Sequence, residues 1–158
     1  MKFFVSLCGC LSAAFLSCSS AFAWTSETSD DRWRSGWGQG IAEAQVTNGS
    51  GNSIYVACHS YPEYPDSLSS VTFTLAGRGA QSGNEVLLAF DGQKPEAYYV
   101  DNHGTIEPDS RATEGQFVAI IAGLKGHDSV YVRFNDGRES TFSLKGSSDA
   151  IGSCSSAS

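Results

Sequence analysis

Once an apolar opening stretch is set aside, the chain keeps only two cysteines, Cys58 and Cys154. A bridge between them ties an early segment to the last few residues and limits the chain to folds in which those two points meet. The opening stretch runs from Phe3 to Phe22 behind Met1 and Lys2 and closes on Ala21-Phe22-Ala23. A basic start, an apolar segment short for a membrane span, and small residues three and one before a cut form a secretory signal, so residues 1–23 are expected to be removed. Cys8, Cys10 and Cys18 leave with that segment. Cys18 offers a second outcome, lipidation and anchoring to a membrane, but Phe15-Leu16-Ser17 sets the leucine one place late for it. Export to an oxidising compartment, periplasmic or extracellular, makes a Cys58–Cys154 disulfide the expected state of the pair. Such a long closed loop restricts the unfolded chain by up to about 4–5 kcal/mol. Nothing of the Cys-x-x-Cys kind points to redox or metal chemistry instead.

Removing 23 of the 158 residues leaves 135, which is one domain with enough chain for a hydrophobic core. The whole chain carries a formal charge of −7, and Lys2 is the only charge in the leader, so the exported form stands at −8. That balance disfavours nucleic acid and anionic lipid as partners and leaves a protein as the expected one. No membrane span is expected after residue 23, and no cofactor.

Residues 24–38 are polar and Gly-containing apart from tryptophans. Trp33 and Trp37 either pack on the edge of the domain or stand out as aromatic anchors for a partner. Residues 39–154 read as a single β domain, and 155–158 as a tail. Ile41 to Val46 alternates weakly, Asn48-Gly49-Ser50-Gly51-Asn52 is a turn, and Ile54 to Cys58 is a β-branched and aromatic run, together a first hairpin. Val71-Thr72-Phe73-Thr74-Leu75 alternates with period two and should bury Val71, Phe73 and Leu75. Gly77 to Gly83 reads as a mobile loop, with strands at Glu85–Phe90 and Glu96–Val100 around an Asp91-Gly92 turn. The spacing predicts a helix over 114–125: Thr113 and Gln116 have capping-box spacing, Phe117, Ile120, Ile121 and Leu124 share one face, and Gly126 supplies the stop. Val130–Phe134 and Ser140–Leu144 form a second hairpin around the turn Asn135-Asp136-Gly137-Arg138, and a helical turn from Ser147 or Ser148 through Ile151 leads to Cys154. The fold class is mainly β: a small β-sandwich or curled antiparallel sheet of roughly seven strands, with that one short helix and a C-terminal helical turn.

Chemistry-bearing residues are sparse. His59, His103 and His127 are separated and lack the His-x-His or His-x-x-x-His spacing of a metal site; His103 with Asp101 is the best pair available. Asp101, Glu107 and Asp109 cluster without the register of a calcium loop. Gly-x-Ser-x-Gly and Ser-x-x-Lys are absent. Asn48-Gly49-Ser50 has the form of a glycosylation acceptor, but a hairpin turn accounts for each of its residues. Tyr61 and Tyr64, held among Pro62 and Pro65, make a low-entropy aromatic loop suited to a partner.

The last third, from Gly115 to Cys154, carries a resemblance. An apolar helix ending Leu124-Lys125-Gly126, the strand Val130-Tyr131-Val132-Arg133-Phe134, and the run from Gly137 to Ile151 resemble the closing unit of small exported proteobacterial proteins. The invasion-associated locus B family and the VasI family associated with type VI secretion are both similar. The resemblance implies a periplasmic, sandwich-like, non-enzymatic protein and transfers no functional residue. The expected function is therefore that of an exported, non-catalytic binding or accessory protein; the alternative is a periplasmic enzyme built on metal or on paired carboxylates such as Asp101 and Glu107.

Overall fold

The computed structural model describes residues 31–38, 40–49, 51–59, 69–81, 85–101 and 104–154. The leader 1–23 with its cysteines, the tail 155–158, His103, and the Tyr61–Tyr64 loop lie outside the described residues.

The first sheet is built by alternation. Strands β1 (Arg34–Gly38), β2 (Ile41–Asn48), β3 (Asn52–His59), β4 (Ser70–Leu75) and β5 (Arg78–Gly79) follow one another antiparallel and in chain order. The inward set Ala44, Val46, Ile54, Val56, Cys58, Val71, Phe73 and Leu75 is buried, as period-two patterning requires. Strands β6 (Glu85–Phe90) and β7 (Glu96–Tyr99) belong to a second sheet, while β8 (Thr105–Ile106) returns to pair with β4. Helix α1 (Arg111–Gly126) follows, then β9 (Ser129–Phe134), β10 (Glu139–Ser143) and the short helix α2 (Ser147–Ile151). The second sheet runs β10-β9-β6-β7. Both sheets and the Phe117, Ile120, Ile121 and Leu124 face of α1 close on one hydrophobic core. The molecule is mainly β, with two antiparallel sheets, consistent with a small sandwich.

Four details depart from the sequence reading. Roughly seven strands become ten strand segments among the described residues, two of them only two residues long. The polar segment 24–38 ends in a true strand, because Arg34–Gly38 pairs along β2 from Arg34↔Gln45 to Gly38↔Ile41. The Gly77–Gly83 stretch is not all loop: Arg78 and Gly79 pair with Leu75 and Thr74. Helix α1 starts a turn earlier than 114, because Ser110 is the N-cap and Thr113 its partner. The Ser110 N–H donates to Thr113 Oγ1 at 2.9 Å, and the Thr113 N–H donates back to Ser110 Oγ at 3.3 Å. Gln116 is thereby released to accept the Tyr99 N–H of β7. At the other end Gly126 stays helical and the extended His127 ends the helix.

Candidate functional site

The Cys58–Cys154 bridge forms, with the two Cα atoms 5.3 Å apart. Cys58 is placed by the inward alternation of β3, and Cys154 by α2, whose position is fixed from α1. Ser147 Oγ donates to the Leu124 carbonyl at 2.6 Å, and Lys125 Nζ donates to the Gly152 carbonyl at 2.7 Å. The last turn is thus held against the open end of the first sheet. Between them lies a cleft of about 400 Å³, lined by Ser35 and Gly36 of β1, Ala42 and Glu43 of β2, Cys58 and His59 of β3, and Ala150 to Cys154. Its size falls in the range of small-ligand and side-chain pockets.

Glu43 is the chemically distinctive residue at the cleft margin, with its side chain on the sheet face away from Ala42 and Cys58. Its Oε1 accepts the Tyr55 hydroxyl, whereas its Oε2 is buried and accepts no hydrogen bond among the described residues. Burial first, then the bond to and charge of Glu43, push the Tyr55 phenol well above its ordinary range, so it stays a donor. A buried carboxylate oxygen without a donor is costly and is a natural landing point for an incoming cation.

Sheet margins elsewhere are closed by side chains. Trp33 Nε1 donates to the Ser143 carbonyl at 3.0 Å, and Asn48 Nδ2 donates to the Thr141 carbonyl, both on the free side of β10. Arg138 donates to the carbonyls of Leu75, Arg78 and Gly79 around β5. Gln116 takes the Tyr99 N–H of β7. Beside the cleft, β1 pairs only with β2 among the described residues. Trp37 on that strand is 62 % exposed, while Trp33 is half-buried against the core. Of the two tryptophans singled out from sequence, Trp37 alone keeps its ring available.

The remaining candidates scatter. Asp101 Oδ1 accepts the Thr105 N–H at 2.9 Å and closes a turn, while its candidate partner His103 lies outside the described residues. Asp109 accepts the Thr113 hydroxyl at 2.7 Å. His127 Nδ1 lies 2.8 Å from Asp91 Oδ2, far in sequence from His59, and no group of three possible metal ligands is present among the described residues. No helix among those residues is long and apolar enough to cross a membrane. Sequence reasoning passed over Glu43 and Gly36. The one available signal was Glu43's place on the outward face of an otherwise ordinary hairpin strand.

Comparison with known proteins adds a family and no activity. No curated protein and no solved structure matches the chain. None of the comparisons links it to the invasion-associated locus B or VasI families. The YfjT family model matches residues 31–151, from the residues just before β1 to the last residue of α2. The domain built on the two sheets and the clasped cleft therefore belongs to the YfjT family.

Proposed function

We propose that this protein is an exported binding protein of the bacterial envelope, periplasmic or secreted, acting through contact with another protein and without catalysis. The observation that carries the reading is the cleft beside the disulfide, bordered by a strand that pairs on one side only among the described residues and bears an exposed tryptophan, while side chains cap β10, β5 and β7. Rigid aromatic anchors next to a pocket are the usual energetic centre of a protein interface. The disulfide supports export, because such bridges persist in oxidising compartments. A secretion-accessory role of the invasion-associated or VasI kind rests on the resemblance over residues 115–154 alone. A photo-crosslinking residue placed at Trp37 in the exporting cell tests the reading. A discrete adduct recovered from the osmotic-shock fraction, and weakened by Ser35→Trp on the cleft wall, is the expected result. Absence of any adduct at Trp37, Ser35 and Ser153 would rule the reading out.

A further inference from the structure

We infer that β1 accepts an extended segment of a protein partner as an added strand, and that a lysine or arginine of that segment reaches across Gly36 to Glu43. The inference rests on the binding reading above and names the chemistry of the occupant.

Register supplies the geometry. Gly36 stands directly opposite Glu43, and Trp37 opposite Ala42, so the two faces of β1 differ. On the face shared with Glu43, β1 carries Arg34, Gly36 and Gly38; on the other it carries Ser35 and Trp37. A strand added beside β1 would lie two inter-strand spacings, about 9.5 Å, from β2. The stem of a lysine or arginine together with the glutamate side chain covers that gap only when nothing projects from the position between them. Gly36 places no side chain of its own at that position. Its backbone gives no other reason for a glycine, since Gly36 is an extended strand residue and does not have a positive φ. Glycine inside a strand weakens it and marks a place where another backbone or a ligand approaches closely.

Charge selects the occupant. The Oε2 of Glu43, covered in the free protein, lacks a donor, and an ammonium or guanidinium that displaces its cover provides one in its strongest, charge-assisted form. The exported form is acidic at −8, the −7 of the whole chain less the charge of Lys2, which attracts a basic segment and disfavours pairing of β1 with a second copy of itself. Alternate residues of the same segment would face Trp37 and the cleft walled by Ala150 to Cys154, so backbone bonds supply affinity and the two faces supply selectivity. The capped margins at β10, β5 and β7 explain why addition would occur at β1 rather than at another edge.

The test uses the oxidised, exported form of the protein as the target for selection from a phage library of random short peptides. Selected peptides are expected to carry lysine or arginine flanked by β-forming residues, and to bind Gly36→Val and Glu43→Gln about tenfold or more weakly. Glu43→Lys should reverse the preference and select aspartate or glutamate, a gain that misfolding cannot mimic. Selected peptides with no basic preference, or with equal affinity for these variants, would overturn the inference and leave the general binding reading standing. A library that yields no binder would remove both. A wild-type dimer in sedimentation that Gly36→Val dissolves would assign β1 to a second copy and likewise overturn the proposal.

Discussion

Two carboxylates mark opposite kinds of chemistry in this molecule, and the contrast separates what holds it together from what it offers to others. Asp91, at the turn after β6, is saturated. Its Oδ1 accepts the N–H groups of Asp128 and Ser129 at 3.0 and 2.8 Å and the Ser129 hydroxyl at 3.3 Å, and its Oδ2 meets His127 Nδ1 at 2.8 Å. Its backbone sits at φ 47, a conformation that a non-glycine residue keeps only when its surroundings over-determine it. The His127 ring in turn stacks on Phe90, with centroids 5.2 Å apart. Both oxygens join the β6 turn to the link between α1 and β9, so the aspartate–histidine pair ties these two segments together. Glu43, by contrast, is half satisfied beside a strand that pairs on one side only among the described residues. A buried polar atom short of a partner calls for an explanation, and the proposed binding role supplies one.

The largest expected effect breaks the clasp that shapes the Glu43 end. Replacing Cys58 and Cys154 together by serine should cost up to about 4–5 kcal/mol, read as a fall in Tm matched by reductant on the wild type. The cleft should lose its wall with it, so peptide binding should fall even below the melting range. Gly123→Ala strikes the Asp91 end instead. Its Cβ would stand 2.4 Å from Phe90 Cζ, which must move off His127, and denaturant unfolding should show a loss of about 1–3 kcal/mol. Retention of full stability would mean that the Phe90 ring is free to shift and that the stack is not a support.

A smaller loss is expected from Asp91→Asn, with a pH signature. The bond to His127 first, then the backbone donors, hold the Asp91 carboxyl below its ordinary value of 3.8. A depressed pKa contributes stability above the unfolded value and loses it as pH falls through the folded one. The difference in Tm between wild type and Asp91→Asn should therefore be present at about pH 7 and shrink as pH falls below the ordinary carboxyl value of 3.8. The smallest effect should come from Glu43→Gln, whose Tm should be unchanged or raised, because the fold gains little from an acceptor it does not use. A clear loss of stability in that variant would erase the contrast and make Glu43 a structural residue like Asp91.

Much of the fold was legible because it is local. Strict alternation in Val71–Leu75 placed three buried side chains correctly, and the turn chemistry at Asn48–Asn52 and Asn135–Arg138 located both hairpins. The start of α1 was misread because Ser110-x-x-Thr113 and Thr113-x-x-Gln116 have the same spacing, and only the contact with Tyr99 shows where Gln116 goes. Arg34–Gly38 reads as an entry segment because two glycines in five residues outweigh the β propensity of Trp37; its strand state comes from pairing with β2. The candidate site was less legible still. Trp37 was singled out, but together with Trp33, and only their different burial divides them.

By itself the sequence determined the compartment expected for the chain, the strand periodicity and the cysteine pairing, because each depends on residue type and short-range spacing. The tertiary structure alone decided which sheet edges are capped, which carboxylate is saturated and which is left short. Those outcomes depend on donors and acceptors contributed by distant segments, such as Ser143 for Trp33 and Ser129 for Asp91. No local pattern encodes whether such a partner arrives.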